Sequence, residues 1–169
     1  MTDAVGDKPN SRGRSIKGVR EKRGEVMAEC TSIEETMMCI ISSSYTAFRY
    51  DEGDGPGRLR YDRLMSEVLA DENITFATKI KVLARVLKAE GKSDRELIRY
   101  LNKIRDIRNK LAHSKVTGRD LSRMSEGWQR LLLSPESFWK EYDKFNELYE
   151  LTTRRLSVIW RAMGLPWDV

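Results

Sequence analysis

The chain has 169 residues, 34% of them charged and 40% hydrophobic, with a formal net charge of +5; that is the length of one domain with a sizeable core and the balance of a chain that folds. No run approaches the roughly 20 apolar residues that span a bilayer, and the opening MTDAVGDKPNSRGRS has no signal-peptide stretch, so a cytoplasmic protein with no membrane partner is expected. One histidine and two cysteines are too few for a typical zinc site, so neither a metal nor a cofactor is expected.

The charge is unevenly spread. Residues 1 to 23 hold seven Lys or Arg against Asp3, Asp7 and Glu21, so this segment carries +4. A basic arm poor in hydrophobes either adds nonspecific phosphate affinity through counterion release or is a solvated tail. Residues 1–18 are read as a flexible tail and residues 19–169 as a helical domain. Every apolar run has helical spacing, with no sustained period-two alternation, so the class is all-α.

The first helix is predicted from Val19 or Gly24 to Phe48, with Val26, Cys30, Ile33, Met37, Ile40, Ile41 and Tyr45 buried. Cys30 and Cys39 are separated there by roughly 13 Å of helical rise, too far for a disulfide, so both are expected as core thiols. DEGDGPG, Asp51 to Gly57, stops the helix. A second follows over about Leu59 to Ala70, with Tyr61, Leu64, Met65, Val68 and Leu69 inward. The third spans about Ile74 to Glu90, where Phe76, Ile80, Leu83 and Leu87 recur at four, three and four and Gly91 supplies a left-handed cap.

The fourth helix opens at SDRE, read as a capping box with Ser93 as cap and Glu96 reaching back. Leu97, Leu101, Ile104, Leu111 and Ala112 form one apolar sector, and Arg108 falls in its middle. Core packing alone would not choose arginine there, because a buried guanidinium is costly unpaired and not reliably stabilising when paired. It needs either a carboxylate such as Glu34 or Glu35 or a functional task. A second stripe, Asn102, Asp106, Asn109 and His113, is polar and either faces water or gathers hydrogen-bonding groups. Arg108 and His113 lie about 140° apart on an ideal helix, which points to a site completed by a second chain.

Gly118 and Gly127 interrupt the next segment, for which a loop and one short helix carrying Trp128, Leu131 and Leu132 are expected. A fifth helix opens with Ser134 as cap and Pro135 at its first position. It continues on a stripe of Phe138, Tyr142, Phe145, Tyr149, Thr152, Leu156, Ile159 and Met163 up to Gly164. The aromatic set is either a base-stacking platform or core; Trp139 and Trp167, off the stripe, are candidates for partner contact. About five helices with short connections suggest an up-and-down bundle.

IRNKLAH, Ile107 to His113, resembles the R-x4-H motif of the HEPN superfamily (higher eukaryotes and prokaryotes nucleotide-binding), and Arg108, Asn109 and His113 all match. FATKIKVLARVLKAEG followed by YLNKIRDIRNKLAHS is similar to the mannitol-repressor-like branch, so the resemblance covers roughly residues 76 to 114. It implies a bundle that pairs as a homodimer through the motif helix, with two copies of the arginine and histidine lining one cleft. It also implies two possible activities.

One is a metal-independent endoribonuclease or RNA-binding protein of the toxin or phage-defence type. His113 would then act as general base or acid for attack of the RNA 2′-OH on the adjacent phosphate. Arg108 would hold that phosphate, and Asn109 would orient one of the two. The other is a noncatalytic transcriptional regulator that meets DNA or a protein partner; no helix-turn-helix is visible, which leaves the basic tail or a protein contact. A third reading is a structural or interaction protein with a relic motif, Arg108 salt-bridged and His113 capping its helix. Lys115 stands where toxins silenced by nucleotidyl transfer carry tyrosine, a departure from that pattern. Lys79, Arg105 and Lys110 are nearby candidates for phosphate contact, or solvated helix-face charges.

Overall fold

The computed structural model describes residues 16–46, 55–71, 73–116 and 132–165. These form an all-α bundle of five helices: α1 Ile16–Thr46, α2 Pro56–Arg63, α3 Phe76–Ala89, α4 Arg95–His113 and α5 Pro135–Ala162. Among the described residues no helix is long and apolar enough to cross a membrane.

α1 is the long spine, touching each of the other four helices. Its inward residues Val19, Val26, Cys30, Ile33, Met37, Ile40 and Ile41 are all buried at helical spacing. Tyr45, expected on that face, is 64% exposed, because the step of four from Ile41 turns it a further 40° away from the core. The helix starts at Ile16, so residues 16–18, read as tail, belong to the helical part. Residues 1–15 and most of DEGDGPG lie outside the described residues. Cys30 and Cys39 are free and buried.

α2 begins earlier than expected, at Pro56, whose missing N–H costs nothing in a first turn. It then widens into a π-type turn over Leu64–Leu69. The wider turn changes the phase of the inner face: Tyr61 and Leu69 are buried, while Val68, expected inside, is exposed. α3 is capped by the Thr75 side chain and ends at Gly91, φ +67°, with Lys92 N donating to Leu87 O at 2.8 Å. That is a left-handed helix stop of the kind glycine favours.

The cap of α4 is Asp94 and not Ser93. Asp94 Oδ1 accepts from Leu97 N at 2.9 Å, while Arg155 of α5 reaches Asp94 Oδ2 and Glu96 Oε2, both at 2.7 Å. The carboxylate satisfies the helix end with one oxygen and forms an ion pair with an arginine through the other, whereas a hydroxyl brings no charge to pair, and Glu96 is drawn sideways instead of back. α4 packs more extensively on α5 than on any other helix; Leu97, Leu101, Ile104, Leu111, Phe138 and Phe145 are wholly buried. Each such side chain contributes about 1.5–3 kcal/mol relative to an exposed one.

Beyond α4 the chain makes a two-residue strand, β1 (Lys115–Val116), paired in parallel with β2 (Leu132–Leu133). No strand was expected, since two residues are too few to show alternation. Leu132, assigned to a short helix, lies in β2; Trp128 and Leu131 fall outside the described residues. The pairing holds the end of α4 beside the start of α5, where Ser134 accepts from Ser137 N at 3.1 Å and Pro135 takes the first position.

Candidate functional site

The site sits on the last two turns of α4. Its inward sector is Leu97, Leu101, Ile104, Ile107 and Leu111; Ala112, placed there on spacing, is exposed. Arg108 lies at the sector's edge and is half-buried, with its Nε enclosed and without an acceptor among the described residues. It faces Cys30 of α1. Burial pushes that thiol up to about 12, and the positive charge of Arg108 partly opposes the rise.

The carboxylate expected to neutralise Arg108 is taken elsewhere. Glu34 pairs with Lys79 at 2.9 Å, and Lys79 is itself buried. A buried lysine is tolerated only with such a partner, so this pair takes Glu34 away from the arginine. Glu35 is exposed and makes no ion pair with Arg108.

The six residues singled out from the sequence divide into two groups. Lys79, Arg105 and Lys110 are each held by a carboxylate: Glu34, Asp106 at 2.7 Å and Glu141 at 2.6 Å respectively. Arg108, Asn109 and His113 make no ion pair or side-chain hydrogen bond among the described residues, and the last two are exposed. Asn109 and His113, one turn apart, share a face, whereas Arg108 points to the other side of the helix. One chain therefore presents an imidazole with a carboxamide, and separately an unneutralised guanidinium. Of the polar stripe, Asn102 is tied to its own helix through Ile98 O at 2.8 Å.

α1 adds a residue that was counted only in the charge of the basic segment 1 to 23. Arg23 reaches across 91 positions to donate from Nη2 to the carbonyl of Ser114, the residue after His113. It stands one helical repeat of seven before Cys30, so it occupies the same apolar edge of α1 as Arg108 does of α4; that phase is the signal that would have found it. Burial lowers its pKa from the ordinary arginine value. Beside it, Lys22 and the Tyr142 hydroxyl both donate to Glu25, each at 2.6 Å. Glu29, one turn on, has Oε2 enclosed without a partner, and burial, then the neighbouring Glu25 charge, push its carboxyl up.

Trp139, set aside for partner contact, is buried, its ring edge-on to Phe138 at 5.4 Å; Trp167 lies outside the described residues. Phe138, Tyr142, Phe145 and Tyr149 likewise pack into or against the core. Among the described residues no cluster of three or more His, Cys, Asp or Glu is placed to hold a metal ion.

No family model, no curated protein and no solved structure matches the chain.

Proposed function

We propose that the chain is a HEPN-type endoribonuclease, acting without a metal, whose working site is assembled from two copies of α4. The observation that carries this reading is the contrast at the end of that helix. Each of the other basic candidates is neutralised, while Arg108 keeps a half-buried guanidinium whose enclosed Nε has no partner and His113 an exposed imidazole with no side-chain partner among the described residues.

The chemistry follows from the side chains. An imidazole both accepts and donates a proton, so His113 can accept the 2′-OH proton of RNA and, protonated, donate to the leaving 5′-oxygen. Attack of that 2′-oxygen on the adjacent phosphorus leaves a cyclic phosphate. A guanidinium held against the helix bundle at its Nε matches the phosphate oxygens bidentately through its planar fork and stabilises their growing charge. Asn109 shares the His113 face and would orient the imidazole or the phosphate. Because Arg108 and His113 diverge on one helix, the arginine of one chain serves the histidine of the other.

The test uses EDTA-treated protein and a labelled RNA. His113→Ala abolishes cleavage with its helical circular dichroism intact; cleavage unchanged by this substitution would remove the assignment. Mixing Arg108→Ala with His113→Ala chains then restores about a quarter of the activity, since half the dimers are mixed and one of their two composite sites is whole. No restoration would place both groups in one chain. A wild-type chain that never cleaves RNA but retains a specific DNA or protein partner belongs instead with the mannitol-repressor-type regulators.

A further inference from the structure

The described arginines include two whose Nε is enclosed and unpartnered, Arg23 and Arg108, and neither has a carboxylate among the described residues. Arg108 has a proposed substrate to meet, but Arg23 does not face the polar stripe. Its guanidinium is anchored on the Ser114 carbonyl and lies 5.8 Å from the centre of the Phe138 ring. The carbonyl belongs to the negative end of α4, where a cation is favoured. The ring face of Phe138 on α5 supplies a second attraction that needs no counter-ion. One side chain of α1 thus joins the end of α4 to the start of α5.

The point it joins is the peptide beside His113. Ser114 is buried; its N–H donates to Lys110 O at 3.1 Å and its C=O accepts from Arg23. On its other side β1 begins at once and is held by β2. The backbone on the C-terminal side of the exposed imidazole is therefore fixed at both its polar groups, where helix ends ordinarily fray. We propose that Arg23 is a positioning residue, holding the last turn of α4 so that His113 keeps a single direction. This rests on the nuclease reading only for its catalytic consequence. Arginine is required because only a planar fork donates along its edge while its face lies over a ring; lysine keeps the charge but not both contacts.

The single histidine makes the test direct, because the ring-proton resonances of the full-length protein report His113 alone. In Arg23→Met those resonances shift and broaden, and kcat for RNA cleavage falls about tenfold or more with KM within about twofold, as expected for lost orientation. Arg23→Lys lies between the two and supplies the reading if the methionine variant does not fold. Lys22→Met, which removes the adjacent cation without touching Ser114, leaves both resonances and kcat unchanged. Unmoved His113 resonances in a folded Arg23 variant, or equal shifts in Lys22→Met, overturn the assignment. If the wild-type chain cleaves no RNA, the nuclease reading falls, and the resonances still decide the role of Arg23.

Discussion

The two ends of α4 handle charge in opposite ways. At the start, Asp94 and Glu96 meet Arg155, Glu96 also takes Arg99 at 2.7 Å, and Arg155 lies over the Tyr100 ring. Asp94, Glu96, Arg99 and Arg155 thus each have an opposite charge within hydrogen-bond reach. At the finish, Arg108, Asn109 and His113 have none among the described residues, and Arg23 is satisfied by a carbonyl and a ring instead of an acid. Charges arranged for stability pair with one another; charges left unpaired at a desolvated edge are a cost to folding. The difference separates the part of the helix that holds the bundle together from the part we assign to chemistry.

The sharpest way to break that comparison is Arg108→Met. Under the nuclease reading cleavage falls by about a hundredfold or more, since a donor aimed at developing phosphate charge is removed. The melting temperature stays level or rises, because a long apolar side chain replaces a half-buried arginine whose enclosed Nε has no partner. Calorimetry and an RNA cleavage assay on one preparation check both. A stability loss with activity kept would make Arg108 a structural residue and undo the contrast.

At the other end the effect is on stability alone. Asp94→Ala removes the cap of α4 and is expected to cost about 1–2 kcal/mol in urea unfolding, with cleavage unchanged. Burial opposes ionisation of Asp94, yet the Leu97 N–H and Arg155 together hold its carboxyl below the usual aspartate range. Its contribution is therefore complete above the unfolded value of about 3.9 and is lost as pH falls through the lower folded value. Acid titrations of wild type and Asp94→Ala should converge in that window. Curves that stay parallel would show that the carboxylate charge is not what the cap uses.

What was legible in the sequence was what depends on near neighbours. Gly91 and the Ser134–Pro135 start are signals a few residues long, and the structure keeps them; the out-of-phase Arg108 is likewise visible from helical period alone. The cap of α4 was misplaced by one residue because its choice depends on Arg155, some sixty positions away. Glu34 was available on paper to either Arg108 or Lys79, and only the packing of α3 on α1 decides for Lys79. Arg23 was hidden in a run of basic residues that looks like a tail, although α1 already runs through it. The β1–β2 pair was invisible because it consists of four residues held by the placement of α4 against α5.

The smallest effect sharpens the boundary of the site. Lys110 lies on the same stretch of α4 as His113 and was a candidate for phosphate contact, but Glu141 holds it at 2.6 Å on a partly exposed surface. Such a pair is worth about 0.5 kcal/mol, so Lys110→Met should change stability by no more than that. To bind a phosphate, Lys110 would exchange one anion for another and leave Glu141 unpaired beside the incoming charge, so little affinity is gained. The slope of RNA binding against salt should then be the same for Lys110→Met and wild type, whereas a true phosphate contact removes close to one unit of slope. A full unit lost on Lys110→Met would mean that the Glu141 pair opens for RNA, and the unpaired edge would then extend from Arg108 and His113 onto α5.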